Sequence, residues 1–280
     1  MIPATLPRGI DICTKEKGLA FVLDMDGVLY HGERVLDGAI AFMDRISAHA
    51  HVFLTNNPAL PPSRVADRLE RLGFSRPDER LVVTSAEATA SWLAREKPGF
   101  RYFAVGADGL DAALRAQGRA DDADADFVVV GEGPGLDFQS LTTGINLVLG
   151  KGARLVATNP DTTVDATRNG QHVVLPGGGA LVAPFVAATG RQPVIIGKPE
   201  PLLFEMAMAR IGAEPNRCIM IGDRPDTDIA GAARIGMRTA LVRTGRLGPG
   251  ADYPVDLPAP DWDAVSLQEL AGELEAAGMI

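Results

Sequence analysis

Phe21-Val22-Leu23-Asp24-Met25-Asp26-Gly27-Val28-Leu29 is the stretch on which the reading of this chain turns. Its first residues, with Ala20 before them, form a short continuous apolar run, the pattern of a strand buried on both faces. The run stops at two carboxylates two residues apart, followed by a glycine. In open α/β sheets ligands collect beyond the carboxyl ends of the strands, so Asp24 and Asp26 stand where chemistry is usually done. A DxDG alone is equally a strand-to-loop turn, and the other strand ends have to decide between the two.

Working outward, three more buried runs end in polar residues. His51-Val52-Phe53-Leu54 ends at Thr55-Asn56, Val194-Ile195-Ile196-Gly197 at Lys198, and Cys218-Ile219-Met220-Ile221 at Gly222-Asp223, running on to Asp228. Between them lie segments of helical period, such as Val65, Ala66, Leu69 and Leu72 before Gly73, and Pro201 to Ile211. Strand alternating with helix is the mark of parallel βαβ units, hence an α/β fold on a parallel sheet. Further strands are expected at 82–84, 102–105, 127–130, 155–157 and 239–242. Residues 79–190 read as a second α/β unit inserted into the first, which leaves 1–78 and 191–280 as the core. His31 falls in an expected loop at 30–34, residues 163–174 form a long polar run, and LPGGGAL at 175–181 reads as a loop.

Composition narrows the class. With 280 residues, 46% of them hydrophobic, the chain can bury a substantial core. Thirty-six acidic against 27 basic residues give a net charge of −9, which argues against nucleic acid or an anionic membrane as the main partner. Cys13 and Cys218 lie far apart with no CxxC, so neither a disulfide framework nor a zinc site is indicated. With neither an apolar leader run nor a membrane-length span in the sequence, a cytoplasmic protein is the expectation. The four histidines, His31, His49, His51 and His172, show no metal-ligand spacing and read as surface or loop residues. GEGPG at 131–135 lacks GxGxxG spacing and reads as a loop of the inserted unit.

In a parallel sheet the four polar strand ends share one edge, so carboxylates, a hydroxyl, an amide and a lysine converge. Clustered carboxylates repel unless a cation is present, and Mg2+ favours such oxygen donors. Lysine, hydroxyl and amide suit an anionic ligand rich in oxygens, for which phosphate is the natural candidate.

These motifs, DMDGVLY at 24–30, FLTNN at 53–57, GKPEP at 197–201 and GDRPDTDI at 222–229, resemble in kind and order those of haloacid dehalogenase (HAD) superfamily phosphatases. VVTSA at 82–86, ATNPD at 157–161 and PGGGALV at 176–182 are similar, more narrowly, to the NagD-like subclass with a large α/β cap. The resemblance implies a Rossmann-like doubly wound core with the inserted unit as cap. It implies Asp24 as nucleophile, forming an aspartyl-phosphate, and Asp26 as the acid that protonates the leaving alcohol and then the base that activates water. Mg2+ would be held by the Asp24 carboxylate, the Asp26 backbone carbonyl and Asp223, with Asp228 steadying those ligands. Lys198, the Thr55 hydroxyl and the Asn56 backbone would hold phosphoryl oxygens. Asn159 and Asp161 are the cap residues expected to face the leaving group. The expected substrate is a small phosphate ester, with nucleotides, pyridoxal phosphate, glycerol phosphate and sugar phosphates all open. A homodimer through the cap is implied by resemblance alone. A phosphomutase is the alternative among enzymes, and a phosphate-binding regulatory module that has lost catalysis is the alternative outside them.

Overall fold

The computed structural model describes residues 18–168 and 171–280. Cys13 and the amino-terminal stretch read for a leader lie outside the described residues. Two parallel sheets organise the chain. The larger has six strands in the order Trp262–Ala264, Arg238–Val242, Cys218–Gly222, Ala20–Leu23, Ala50–Thr55 and Val82–Thr84. Ala20–Leu23 is central, with Phe21 in register with Ile219 on one side and His51 on the other. The chain builds away from this strand in both directions, which makes its carboxyl end the switch point at which an open sheet leaves a crevice.

Side chains alternate across the strand, as its period of two requires. Phe21 and Leu23 face one apolar cluster, with Phe42, Leu69 and Leu270 from the flanking helices. Val22 faces the other, with Leu54, Val83 and Phe204. That second cluster does not stop at the edge of the sheet. It continues through Phe100, Tyr102, Phe127 and Val129 into the smaller five-stranded sheet, so core and cap share one uninterrupted apolar interior.

The smaller sheet runs Val194–Ile195, Arg154–Ala157, Phe127–Val130, Arg101–Val105 and Arg119–Ala120, all parallel. Its membership corrects the sequence-derived boundaries. Val82–Thr84 pairs with Phe53–Thr55 and so closes the edge of the core sheet, while Val194–Ile195 pairs with Val156–Ala157 in the cap sheet. The crossings therefore lie after Thr84 and after Ile195, rather than at 78/79 and 190/191. Both strands are two or three residues long, and partnership across a sheet leaves no local trace in so short a run.

Two further corrections concern the mouth of the crevice. The expected loop at 30–34 is a small hairpin, Tyr30–His31 against Arg34–Val35. The polar run after Thr162 is a two-stranded antiparallel ribbon, Thr163–Arg168 against Gln171–Pro176. It ends at Pro176, and in place of the loop expected at 175–181 the glycines open the helix Gly178–Thr189. Among the described residues no helix is long and apolar enough to cross a membrane.

Candidate active site

Asp24 follows directly on the central strand, and its amide N–H still donates to Ile221 O at 2.9 Å. Across the switch point stand Asp223, which follows the neighbouring strand, and Asp228, one turn into the short helical segment Pro225–Ile229. Carboxylate oxygens of Asp24, Asp223 and Asp228 all lie within 4.8 Å of one another, and all three residues are nearly or fully buried. Lys198 is 2% exposed. Its Nζ donates to Asp24 Oδ1 at 2.7 Å and lies 2.7 Å from Asp228 Oδ1, the latter an ion-pair contact off the hydrogen-bonding angle.

Three carboxylates against one ammonium leave two positive charges missing. Burial, with Lys198 pulling the other way and Asp228 pushing further, raises the Asp24 carboxyl to about 7; burial and its neighbours Asp228 and Asp24 hold Asp223 well above the usual range. The donor set is therefore strained in a way that a divalent cation relieves, and hard oxygen ligands suit Mg2+. The space for it is made by backbone. Gly27 has φ +83°, and a Cβ there would come 2.6 Å from Asp223 Oδ2; one on Gly245 would come 1.9 Å from the same atom. The Arg246 N–H donates to Asp223 Oδ2 at 2.9 Å and the Arg224 N–H to Asp228 Oδ2 at 3.1 Å, each fixing one oxygen and leaving the other to the cluster.

Asp26 points into the same cleft and is half exposed, with its Oδ1 3.5 Å from His31 Nδ1. The surrounding walls still desolvate it: burial raises its carboxyl against the pull of His31 and Arg68, which favours a protonated acid. Thr55 Oγ1 accepts the Asn57 N–H at 3.1 Å, so its own proton is available to an anionic ligand. The Asn56 side chain is engaged by the backbone of Lys198. Its Oδ1 accepts the Lys198 N–H at 2.7 Å and its Nδ2 donates to Lys198 O at 3.1 Å, clamping the lysine's backbone.

Models of the haloacid dehalogenase-like hydrolase family match residues 21–120, and of the HAD-hydrolase-like family residues 195–270. A dihydroxyacetone phosphatase of Corynebacterium glutamicum (strain R) is 39% identical over 230 residues, covering 81% of this chain and 82% of that protein. The chain belongs to the haloacid dehalogenase-like hydrolases. Within them it is a NagD-like phosphatase. NagD of E. coli K-12 superposes with a TM-score of 0.78 at 30% identity, covering 90% of this chain and 98% of that one. A glycerol phosphate phosphatase of Mycobacterium tuberculosis, solved in complex with magnesium, gives 0.80 at 30% identity, covering 91% and 76%.

The side of this phosphatase's cleft away from the carboxylate cluster is built of residues that sequence reasoning did not gather. His172, from the ribbon, lies over His31, from the small hairpin, with ring centroids 6.2 Å apart and planes 20° apart; His172 Nε2 is 2.8 Å from Asp165 Oδ1. Arg246 Nη2 donates to Thr163 O at 2.6 Å and to Thr163 Oγ1 at 3.0 Å. Glu132 lines the cleft at 5% exposure, and burial pushes its carboxyl up to about 7. Asn159 is fully buried and donates to Glu132 Oε1 at 3.0 Å, one layer behind the cleft wall; Asp161 lies in the wall itself. Glu132 was within reach of the rule applied to the core, since Phe127–Val130 is a buried strand that ends at Gly131-Glu132. His31 and His172 meet only through tertiary structure.

Proposed function

We propose that this phosphatase hydrolyses small polyhydroxylated or keto phosphate monoesters, of three-carbon or sugar type, through Asp24. The observation that carries the reading is the cleft itself. Its cavity is about 280 Å³, at the small end of ligand clefts, with Lys198 and the carboxylate cluster at one end and Asp165, His172, Thr163 and Arg246 at the other. Such a lining matches hydroxyl and carbonyl groups. The Tyr30 ring offers no open face for a nucleobase to stack on, being 4% exposed and already covered by Arg68, whose guanidinium carbon sits 4.5 Å from its centroid. The names of two similar proteins, a dihydroxyacetone phosphatase and a glycerol phosphate phosphatase, support the same class.

In the proposed mechanism Lys198 and the Thr55 hydroxyl hold phosphoryl oxygens while an Asp24 oxygen attacks phosphorus. The bond from phosphorus to the ester oxygen breaks, and Asp26 gives that oxygen its proton. Asp26, now a carboxylate, takes a proton from water as the water oxygen attacks the phosphoaspartate phosphorus, which releases inorganic phosphate and restores Asp24. Mg2+ held by Asp24, Asp223 and the Asp26 carbonyl, with Asp228 behind, would supply the missing positive charge as a Lewis acid. A phosphomutase would need the same residues, but the similar proteins named above are phosphatases.

Phosphate release across an ester panel, with and without Mg2+, on the wild type and Asp24→Asn tests this. Triose, glycerol and sugar phosphates should lead the panel, and Asp24→Asn should fall to background. Equal release by both proteins would sink the mechanism; preference for nucleoside monophosphates would sink the substrate class.

A further inference from the structure

Asp161 stands at a junction that neither phosphate chemistry nor leaving-group chemistry requires. It follows the cap strand Arg154–Ala157, is 5% exposed, and spends both carboxylate oxygens on the core. Oδ2 accepts from Asn56 Nδ2 at 3.1 Å, and Oδ1 accepts from Arg224 Nη1 in an ion pair. Each of those partners is one step from the reacting groups. Asn56 follows Thr55 and clamps the backbone of Lys198 through two hydrogen bonds. Arg224 follows Asp223, and its own N–H holds Asp228. One cap carboxylate thus reaches three of the four catalytic strand ends.

The cap buttresses the same point from behind. Asn159 Nδ2 donates to Asn56 O at 2.8 Å, and Ser85 Oγ donates to the same oxygen at 2.5 Å. Asn159 Oδ1 in turn accepts the Asp161 N–H at 3.1 Å, which fixes Asp161 on its own strand end. A carboxylate with its oxygens committed in this way has little left to offer a substrate hydroxyl, although it lies in the cleft wall.

We propose that Asp161 is a positioning residue for phosphoryl transfer: held by the cap, it sets Asn56, and through it Lys198, against Arg224, and through it the Asp223 and Asp228 carboxylates. The expectation from sequence that Asp161 faces the leaving group is replaced by a role on the phosphate side. Substituting Asn keeps an acceptor for one partner and turns an amide donor on the other, which pushes the two core loops apart. Small displacements of that kind are felt mainly in the rate of the chemical step.

The proposal rests on Asp24-dependent phosphatase activity, and the test separates the two. Steady-state kinetics of wild type, Asp161→Asn and Arg224→Lys are compared on glycerol phosphate and on p-nitrophenyl phosphate, with Asp24→Asn as reference and thermal unfolding measured alongside. Asp161→Asn should lose between about tenfold and a hundredfold in kcat, by the same factor on both esters, with KM little changed. Arg224→Lys keeps the charge opposite Asp161 but cannot span Asp161 and Asp226 together, and should show a smaller uniform loss; it carries the test if Asp161→Asn fails to fold. A kcat within about twofold of wild type would overturn the proposal, leaving Asp161 as a clasp between domains. So would a raised KM confined to glycerol phosphate, which would put Asp161 on the leaving group. Activity that survives Asp24→Asn would overturn the underlying mechanism instead.

Discussion

Glu132 shows how a single residue in the cleft wall ties acidity to stability. Its side chain accepts from Asn159, but burial dominates and raises its carboxyl from 4.5 to about 7. Between those values the folded protein keeps a proton that the unfolded chain has released, so stability is lost as pH rises through that window. Glu132→Gln preserves the acceptor to Asn159 and removes the titration. The variant should match wild type near pH 4.5 and exceed it at pH 8 by on the order of 2–3 kcal/mol, read as a higher unfolding midpoint in scanning calorimetry. Equal midpoints at pH 8 would show that the side chain is solvated enough to ionise freely. Asp24 and Asp223 share the same tendency, and there the proposed Mg2+ would take the place of a proton.

At the scale of elements, the ribbon Thr163–Arg168 with Gln171–Pro176 determines the far end of the cleft, and Arg246 determines the ribbon. Its guanidinium donates twice to Thr163, the first residue of the ribbon, and lies 3.7 Å from Asp165 Oδ2. Arg246→Ala leaves intact the backbone N–H that holds Asp223. KM for a triose phosphate should rise about five- to tenfold, with kcat on p-nitrophenyl phosphate nearly unchanged. An unaltered KM would mean that the ribbon holds its place without the arginine. The ribbon is also where sequence reading failed. The core strands announce themselves because apolar runs such as Phe21–Leu23 and Ile219–Ile221 are buried on both faces and stop abruptly at polar residues. The ribbon buries neither face fully: Gln171 and His172 are exposed and Val173 only half-buried, so its composition is that of a loop. The same reasoning explains why Asp24, Asp26, Thr55, Lys198 and Asp223 could be gathered from sequence while His31, His172 and Arg246 could not. Asp24, Asp26, Thr55 and Asp223 sit at strand ends that the core sheet aligns, and Lys198 follows Val194–Ile195 at the edge of the cap sheet, an apolar run that ends in the same abrupt way; the second set is assembled from two hairpins and a loop with no common edge. The family resemblance implies that the Asn56 backbone meets the phosphate, but the work of its side chain on Lys198 and Asp161 depends on contacts more than a hundred residues away.

At the scale of the molecule, the shared apolar cluster makes core and cap one body. Val22, Leu54 and Val83 of the core sheet join Tyr102, Phe127 and Val129 of the cap sheet without a polar layer between them. Calorimetric unfolding should therefore show one endotherm, with calorimetric and van't Hoff enthalpies equal. Two separated endotherms would show that the cap folds independently. Against this rigid background the ribbon stands apart, since its strands pair with each other and with neither sheet. Mutational tolerance should follow that division. Substitutions along the ribbon can redraw which alcohol is accepted without disturbing the interior that keeps the molecule folded, so selectivity in this enzyme can drift, or be engineered, nearly independently of its capacity to cleave phosphate.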